Sequence, residues 1–343
     1  METWIERRFL NRKVVVTMCY KIEVQRKNEE KLQRKFDEEN ISLFIQKYFI
    51  NIESKAGAIN YWVAIRDLLL WLMEKKIINK SVLSDIEADD FYDVESEDVT
   101  MYLRNKEQSG MSPTTLETRK NIFSSFWKYL QRSNKCPVEQ NIIESVSYKG
   151  ISSNNNLVKK LPSDEQIKQM EEKIANKNDS ILRVRNLTIL RLLKGSGIRE
   201  SELVGLELKD LFLNEEIPYI KIVGKGKYRE IEARDVLLTN DAKEALIEWL
   251  EERQNISGIE DTNAVFVTKK CKRMLESEIG KMFRSASNGE VSPHMLRHWY
   301  GTVAAKVGGV AFAQQQLGHT SMTTTINNYA NGSYGMKDIL ASM

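Results

Sequence analysis

The sequence has no long apolar run and only three cysteines, and both scarcities exclude classes of protein. A membrane-spanning helix needs roughly 18 or more consecutive apolar residues, and no segment approaches that length. The cysteines, Cys19, Cys136 and Cys271, are odd in number and far apart, which argues against a disulfide scaffold and is typical of a reducing compartment. The opening METWIERRFL carries acidic residues and no apolar segment, so we expect no secretory signal, no membrane partner and a cytoplasmic protein.

A dominant charge is also missing, because 51 Lys and Arg residues against 48 Asp and Glu leave a formal net charge of +3. That balance alone decides nothing about a nucleic-acid partner. Histidine is scarce but clustered, since His294, His298 and His319 all lie late in the chain, which indicates a site. No cysteine or acid pair accompanies them at ligand spacing, and the gap from His298 to His319 is too long for a zinc finger. We expect neither a metal nor another cofactor.

The length of 343 residues predicts more than one domain. Residues 1–40 are predicted to be an N-terminal appendage with a short β-like run, KVVVTMCYKIEV. Residues 41–145 show helical periodicity, as in YWVAIRDLLLWLM, and predict a helical domain. Residues 146–161 are rich in Ser, Asn and Gly and poor in apolar residues, which predicts a linker before a second domain at 162–343.

The clearest helix of the first domain is MSPTTLETRKNIFSSFWKYLQRS. Ser112 can cap it, Pro113 suits its first turn, and large apolar side chains line one side. Four basic residues fall largely elsewhere on it: Arg119, Lys120, Lys128 and Arg132. Such a face is compatible with simple solvation or with DNA contact, and the sequence leaves both open.

The second domain is predicted to be mostly helical with a small antiparallel β-sheet. Its first helix starts at a capping arrangement, Ser163 to Gln166, and another helix runs through ILRVRNLTILRLLKG. The alternating segments PYIKIVG and YREIEA flank KGK and predict a β-hairpin, with AVFVT as a possible third strand. The predicted fold class is therefore mainly α.

Four segments of the second domain carry residues that suit one chemical target: GSGIRESEL, IVGKGKYRE, HMLRH and LGHTSMTTTINNY. They contain no paired carboxylates for acid/base work and no Gly-rich nucleotide-binding loop. They supply arginines, a lysine, histidines and a tyrosine, which favours attack on a phosphodiester, because planar guanidinium groups match the nonbridging phosphate oxygens. A metal is not needed where arginines supply the positive charge.

Each member of this set has a chemical role in such a reaction. Arg199 and Arg297 would hold the phosphate, and Tyr329 would attack it. A tyrosine hydroxyl has a pKa of about 10 and needs an acceptor for its proton, for which His294 is the candidate. Lys225, on the hairpin, could protonate the departing 5′-hydroxyl.

The remaining candidates leave alternatives open. His319 would donate a further hydrogen bond to the phosphate, while Lys227 is a rival of Lys225 in the same hairpin and a candidate DNA contact. Tyr334 is a rival of Tyr329, although it follows ANG, where the helix is expected to stop.

Each residue taken singly also has a structural interpretation. Arg199 could be a surface arginine paired with Glu200 or Glu202, and the GKGK segment could be an ordinary hairpin turn. Either His294 or His298 could be a hydrogen-bonded core histidine, and a single tyrosine is usually packing material. The ordered presence of all four segments favours the site.

The ordered set resembles the catalytic domain of the tyrosine recombinases, the integrase and Xer class of site-specific DNA recombinases. GIRESEL is similar to the family's first arginine motif, GKGKYR to its hairpin lysine motif, HMLRH to its histidine–arginine motif, and LGHTSMTTTINNY to the motif that carries the nucleophilic tyrosine. The likeness covers roughly residues 160–332, and residues 41–134 are similar in kind to the family's helical, SAM-like core-binding domain. The resemblance also implies that Glu202 supports Arg199.

The resemblance implies an enzyme that cuts and rejoins DNA through a 3′-phosphotyrosyl intermediate, without ATP, for integration, excision or resolution. The implied partners are double-stranded DNA with a recombination site, three further copies of the chain in a homotetramer, and an accessory DNA-bending or directionality protein. The host would be a bacterium, an archaeon or one of their mobile elements. The tail SYGMKDILASM is hypothesised to dock on a neighbouring subunit. Alternatives are a type IB topoisomerase and a non-catalytic DNA-binding regulator with the same fold.

Overall fold

The computed structural model describes residues 20–133, 138–148, 161–222, 233–260 and 263–318. The chain divides into two compact units, Met1–Asn156 and Leu157–Met343. Over the described residues the protein is mostly helical with a small antiparallel sheet, as the sequence predicts. None of the described helices has both the length and the apolar character needed to cross a membrane.

The first unit is a bundle of helices around an aromatic core. Its helices are α1 (Tyr20–Glu38), α2 (Leu43–Ile50), α3 (Lys55–Glu74), α4 (Ser96–Gln108) and α5 (Pro113–Arg132), with short 3₁₀ turns at Leu83–Asp85, Ala88–Phe91 and Ile142–Ser145. Large side chains from different helices, Trp62, Tyr102 and Trp127 among them, are fully buried. Burial of one large apolar side chain contributes about 1.5–3 kcal/mol, so this core is the main source of the unit's stability.

The helix α5 starts and packs as the sequence predicts. The Ser112 hydroxyl accepts a hydrogen bond from the Thr115 amide at 3.3 Å, and Pro113 occupies the first turn. Leu116 and Trp127 are both 0 % exposed and face the core. The predicted cap, the proline in the first turn and the buried apolar face of this helix are therefore all confirmed.

The β-like run predicted at KVVVTMCYKIEV is wrong where the structure describes it, because residues from Tyr20 onward belong to α1. The reason lies further along the segment, where Leu32 and Phe36 are spaced by one helical turn and are 5 % and 3 % exposed. The Phe36 ring meets the Trp62 ring edge-on at 5.2 Å. The helical register that buries these side chains extends back through Tyr20, and α1 shares the core of the first unit. Residues 13–19 lie outside the described residues.

The predicted linker begins inside the first unit. Val146 and Tyr148 are both 5 % exposed in its core, and the Lys120 ammonium donates to both of their carbonyl oxygens at 3.1 Å. The division between the units, after Asn156, falls within the predicted range. Residues 149–160 lie outside the described residues, so the linker as a whole stays a prediction.

The described part of the second unit consists of helices and a small, partly buried antiparallel sheet. The helices are α6 (Asp164–Ala175), α7 (Ser180–Ser196), α8 (Glu200–Val204), α9 (Asn240–Gln254), α10 (Glu276–Ser287) and α11 (Pro293–Leu317). The predicted cap of α6 is confirmed, because the Gln166 amide donates to the Ser163 hydroxyl at 3.1 Å and the Gln166 side chain accepts from the Ser163 amide at 3.0 Å. The helix α7 packs on α9, where Thr188 donates to the Ala245 carbonyl at 2.8 Å.

The sheet differs in part from the prediction. Its order is β1 (Leu211–Phe212), β2 (Tyr219–Ile222) and β3 (Arg234–Leu237), all antiparallel. The strand within PYIKIVG is confirmed, and its partner starts at Arg234, after the predicted YREIEA. Most of YREIEA, with the tip of the hairpin, falls at 223–232 and lies outside the described residues.

The predicted strand AVFVT is wrong, since it makes only isolated bridges. Its apolar residues are fully buried. The Val265 amide donates to the Leu206 carbonyl and the Phe266 carbonyl accepts from the Met274 amide, but side chains take three of its other carbonyl oxygens. Arg253 donates to the Ala264 carbonyl, Trp249 to the Val265 carbonyl and Arg185 to the Val267 carbonyl, each at 2.9 Å. Hydrogen bonds from such side chains satisfy the carbonyl groups of a buried apolar segment, so the segment does not need to join a sheet.

Candidate active site

Arg199 and Glu202 form the first part of the site, at the start of the short helix α8. The helix α7 ends at Ser196, and Gly197 takes a left-handed conformation with φ of 63°. The Glu202 carboxylate accepts from the Arg199 amide at 2.8 Å and from the Arg199 guanidinium at 2.8 Å. Arg199 therefore pairs with Glu202, one of the two partners considered from the sequence, and still leaves 37 % of its side chain exposed.

Gly197 connects this turn to α11. A Cβ at this position would lie 2.2 Å from the Tyr300 ring, so glycine is required both for the positive φ and for the close approach. The Gly197 carbonyl accepts a hydrogen bond from the Arg297 guanidinium at 2.6 Å. The backbone of the first motif thus holds the arginine of the third.

Arg297 is buried in the second unit, with 4 % of its side chain exposed. Besides Gly197 it donates to the Leu317 carbonyl at 2.6 Å, and its Nη1 lies 3.9 Å from a Glu202 carboxylate oxygen. Leu317 ends the same helix, 20 residues after Arg297, and in a straight helix these two residues would lie about 30 Å apart. Gly309, with φ of 80°, interrupts α11, which allows its last turns to fold back onto Arg297.

Arg234 is a member of the site that the sequence motifs did not reveal. Its guanidinium forms a two-pronged ion pair with Glu202, with nitrogen–oxygen distances of 3.1 and 2.9 Å. Its Nε donates to the Gln316 carbonyl at 3.1 Å. Alternation along the strand could have indicated it, because Arg234 and the buried Val236 are two residues apart and lie on the same face. An arginine on an inward-facing position needs an acidic partner.

One carboxylate is therefore shared by arginines from three distant segments. Burial alone would raise the pKa of Glu202, but the hydrogen bonds and charges of Arg234 and Arg199 outweigh it and lower that pKa to about 2. A single negative charge among Arg199, Arg234 and Arg297 leaves an excess of positive charge. Because Arg199 is the most exposed of the three, this excess faces outward there and suits an oxyanion.

His294 and His298 stand side by side on the first turns of α11, which Ser292 caps by accepting from the Met295 amide at 3.2 Å. Their Nε2 atoms lie 2.9 Å apart, so the two rings are joined by a hydrogen bond. His294 is exposed and His298 partly buried, so neither is a core histidine.

The helix α11 ends in a turn at Gly318, which has φ of 62°. A Cβ on Gly318 would lie 2.7 Å from the Arg234 guanidinium, so a larger residue at this turn would force that guanidinium to shift. The predicted residues Lys225, Lys227, His319, Tyr329 and Tyr334 lie outside the described residues, and their roles stay predictions. In the described part of the chain, no three His, Cys, Asp or Glu side chains are grouped as a metal site would require.

The predicted DNA contacts of α5 fall into two groups. The Arg119 guanidinium is bonded to Asp67 and to the Tyr102 hydroxyl, with 13 % of its side chain exposed. Lys120 is bonded to backbone carbonyls, as described above. Lys128 and Arg132 are exposed and line an open groove. Of the four, these two have side chains placed to reach a partner.

The chain is similar to several known proteins. Residues 163–335 match the phage integrase family. Tyrosine recombinase XerC of Neisseria meningitidis serogroup C is 30% identical over 242 residues, which cover 68% of this chain and 73% of that protein. XerC of Proteus mirabilis is 28% identical over 301 residues, which cover 84% and 89%. The crystal structure of XerH site-specific recombinase bound to palindromic difH substrate, a post-cleavage complex, has a TM-score of 0.64 at 20% identity, with 84% of this chain and 80% of that chain covered.

The motifs, the fold and these relatives define a tyrosine-type site-specific DNA recombinase. The chain belongs to the phage integrase family. This membership favours recombination over the alternative of a type IB topoisomerase.

Proposed function

We propose that this recombinase cleaves DNA through Tyr329, using the arginine cluster around Glu202 to hold the scissile phosphate. The observation that carries the proposal is the convergence of Arg199 and Arg297 on one carboxylate, although they come from separate segments. Two guanidinium groups positioned in advance stabilise the charge that grows on the nonbridging oxygens during attack at phosphorus.

The proposed step forms one bond and breaks one. The Tyr329 oxygen bonds to phosphorus and passes its proton to His294, and the bond from phosphorus to the 5′-oxygen breaks. The departing 5′-oxygen takes a proton from Lys225, with Lys227 as the alternative donor in the same segment. A 5′-hydroxyl from a second duplex then reverses these events, so the phosphodiester is restored without ATP. His319 would donate a hydrogen bond to the phosphate throughout.

The larger assembly is part of the proposal. Exchange between two duplexes requires four strand cleavages, which favours a homotetramer on two copies of a specific site. The solved XerH site-specific recombinase was bound to a palindromic difH substrate, and we infer a double-stranded DNA partner here, with phosphate contacts from Lys128 and Arg132. An accessory DNA-bending protein and a role in integration, excision or resolution of a mobile element remain part of the same hypothesis.

The test is trapping of the covalent intermediate on DNA nicked next to the cleavage site, so that the short cleaved fragment escapes and religation stops. We expect wild type to form an adduct that survives SDS, and Tyr329→Phe to form none, with Tyr334→Phe as the matched control that retains it. An adduct with Tyr329→Phe but not with Tyr334→Phe would move the nucleophile to Tyr334. Sequence-specific DNA binding with no adduct from wild type would support the non-catalytic regulator.

A further inference from the structure

Arg234 reaches two parts of the site at once. Its Nη1 and Nη2 donate to the two oxygens of Glu202 at 3.1 and 2.9 Å, and its Nε donates to the Gln316 carbonyl at 3.1 Å. We propose that Arg234 is a positioning residue for strand cleavage, which fixes Glu202 against Arg199 and holds the turn at Gly318. This inference rests on the proposed function and adds a residue that none of the four sequence motifs contains.

Arg234 acts through its neighbours and not on the phosphate. All three of its guanidinium nitrogen atoms donate hydrogen bonds within the protein, two to the Glu202 carboxylate and one to the Gln316 carbonyl. Glu202 in turn holds Arg199 through both its guanidinium and its backbone amide. The bidentate contact from the planar Arg234 guanidinium fixes the Glu202 carboxylate, and the fixed carboxylate can then orient Arg199.

The turn after α11 depends on the same guanidinium. Gln316 is 1 % exposed, its carbonyl accepts from Arg234, and its side-chain oxygen accepts from the Leu237 amide at 2.9 Å. Gly318 approaches so closely that a Cβ would lie 2.7–2.8 Å from three atoms of the Arg234 guanidinium. Arg234 therefore holds the last described turn of the chain, which immediately precedes His319 in the sequence.

Arg234 also lies at the base of the hairpin. It pairs with Ile222 at the last described register position before residues 223–232, which include Lys225. The ion pair with Glu202 therefore anchors the returning strand to the arginine cluster. One side chain links the first arginine motif, the hairpin and the final motif.

The experiment uses the full chain with Arg234→Gln, Arg234→Lys and, as a matched control, Arg284→Gln, which removes the same charge from an exposed position on α10. Single-turnover adduct formation on the nicked DNA gives the cleavage rate, titration of the same DNA gives the Kd, and thermal unfolding reports folding. We expect Arg234→Gln to slow cleavage about 10- to 100-fold, as a small displacement of reacting groups does, with little change in Kd. Arg234→Lys keeps the positive charge but cannot make the bidentate contact with Glu202, so its cleavage rate should lie between those of Arg234→Gln and wild type. Arg284→Gln should match wild type.

A double-mutant cycle separates positioning from a general structural effect. In a Glu202→Gln background the further change Arg234→Gln should slow cleavage much less than it does alone, because Arg234 acts through Glu202. Gly318→Ala displaces the Arg234 guanidinium without removing it and should also slow cleavage. This variant tests the inference even if Arg234→Gln does not fold. Wild-type cleavage rates in folded Arg234 variants, or fully additive effects with Glu202→Gln, would overturn the inference. No adduct from wild type would instead contradict the proposed function.

Discussion

Among single residues, Glu202 has the largest electrostatic influence on the site. Its pKa is lowered to about 2, since burial is outweighed by Arg234 and Arg199, whereas a glutamate in an unfolded chain titrates near 4.3. Its pairing therefore stabilises the fold above the unfolded pKa, and this stabilisation is lost as the pH falls toward the folded one. Between about pH 5 and about pH 3, the wild-type free energy of unfolding should lose about 2 kcal/mol through this group.

The glutamine of Glu202→Gln cannot titrate, so this variant should lack the part of the pH-dependent loss of stability that Glu202 causes. Urea unfolding of both proteins at several pH values would measure it, with the difference between them shrinking as the solution becomes more acidic. An equal pH dependence for the two proteins would mean that Glu202 is not the group responsible.

Gly197 gives a second prediction for a single residue. It can be compared with another glycine that has a similar positive φ but no neighbouring side chain. A Cβ on Gly197 would lie 2.2 Å from the Tyr300 ring, whereas one on Gly258, with φ of 77°, would meet nothing within 4 Å. Gly258→Ala should therefore cost only about 1–2 kcal/mol for the left-handed backbone. Gly197→Ala should cost an additional 1–3 kcal/mol or so from overpacking. Equal losses in denaturant unfolding would contradict the contact with Tyr300.

At the scale of elements, α1 belongs to the core of the first unit and is not an appendage to it. Phe36 is 3 % exposed, and its ring lies 5.2 Å from those of Phe49 and Trp62. Phe36→Ala should lower the free energy of unfolding by about 3–5 kcal/mol, the usual cost of such a cavity. Lys31→Ala, at an exposed position of the same helix, should change it by no more than about 0.5 kcal/mol. A loss for Phe36→Ala as small as the control would show that α1 detaches freely.

The elements also show how far the sequence could lead. Ser112 and Ser163 predicted helix starts correctly, because a cap acts on amides only three residues away. AVFVT was predicted as a strand because its composition is that of a strand, but the side chains that take its carbonyl oxygens come from Arg185, Trp249 and Arg253. Local pattern does not contain such distant donors. The same limit hid Arg234, whose acid lies in another segment, whereas Arg199 and Arg297 were found through their motifs.

For the whole molecule, we propose that the first unit supplies part of the DNA affinity. Lys128 and Arg132 are exposed beside the same groove, whereas the Arg119 guanidinium is bonded to Asp67 and Tyr102. Each of Lys128→Gln and Arg132→Gln should weaken binding of the full chain to any DNA sequence. Each should also reduce the slope of log affinity against log salt by about one, because one phosphate contact releases about one counterion.

Arg119→Gln is the matched comparison, with the same loss of charge on the same helix. Because it leaves the Asp67 carboxylate without its guanidinium partner, it should lower the free energy of unfolding by about 1–3 kcal/mol. The salt slope should then equal that of wild type. Binding titrations at several salt concentrations, together with urea unfolding, measure both quantities for all three variants. If Arg119→Gln flattened the salt slope as much as Lys128→Gln does, the guanidinium would have to leave Asp67 when DNA binds. Arg119 would then be a DNA contact, which is one of the two alternatives that the sequence leaves open.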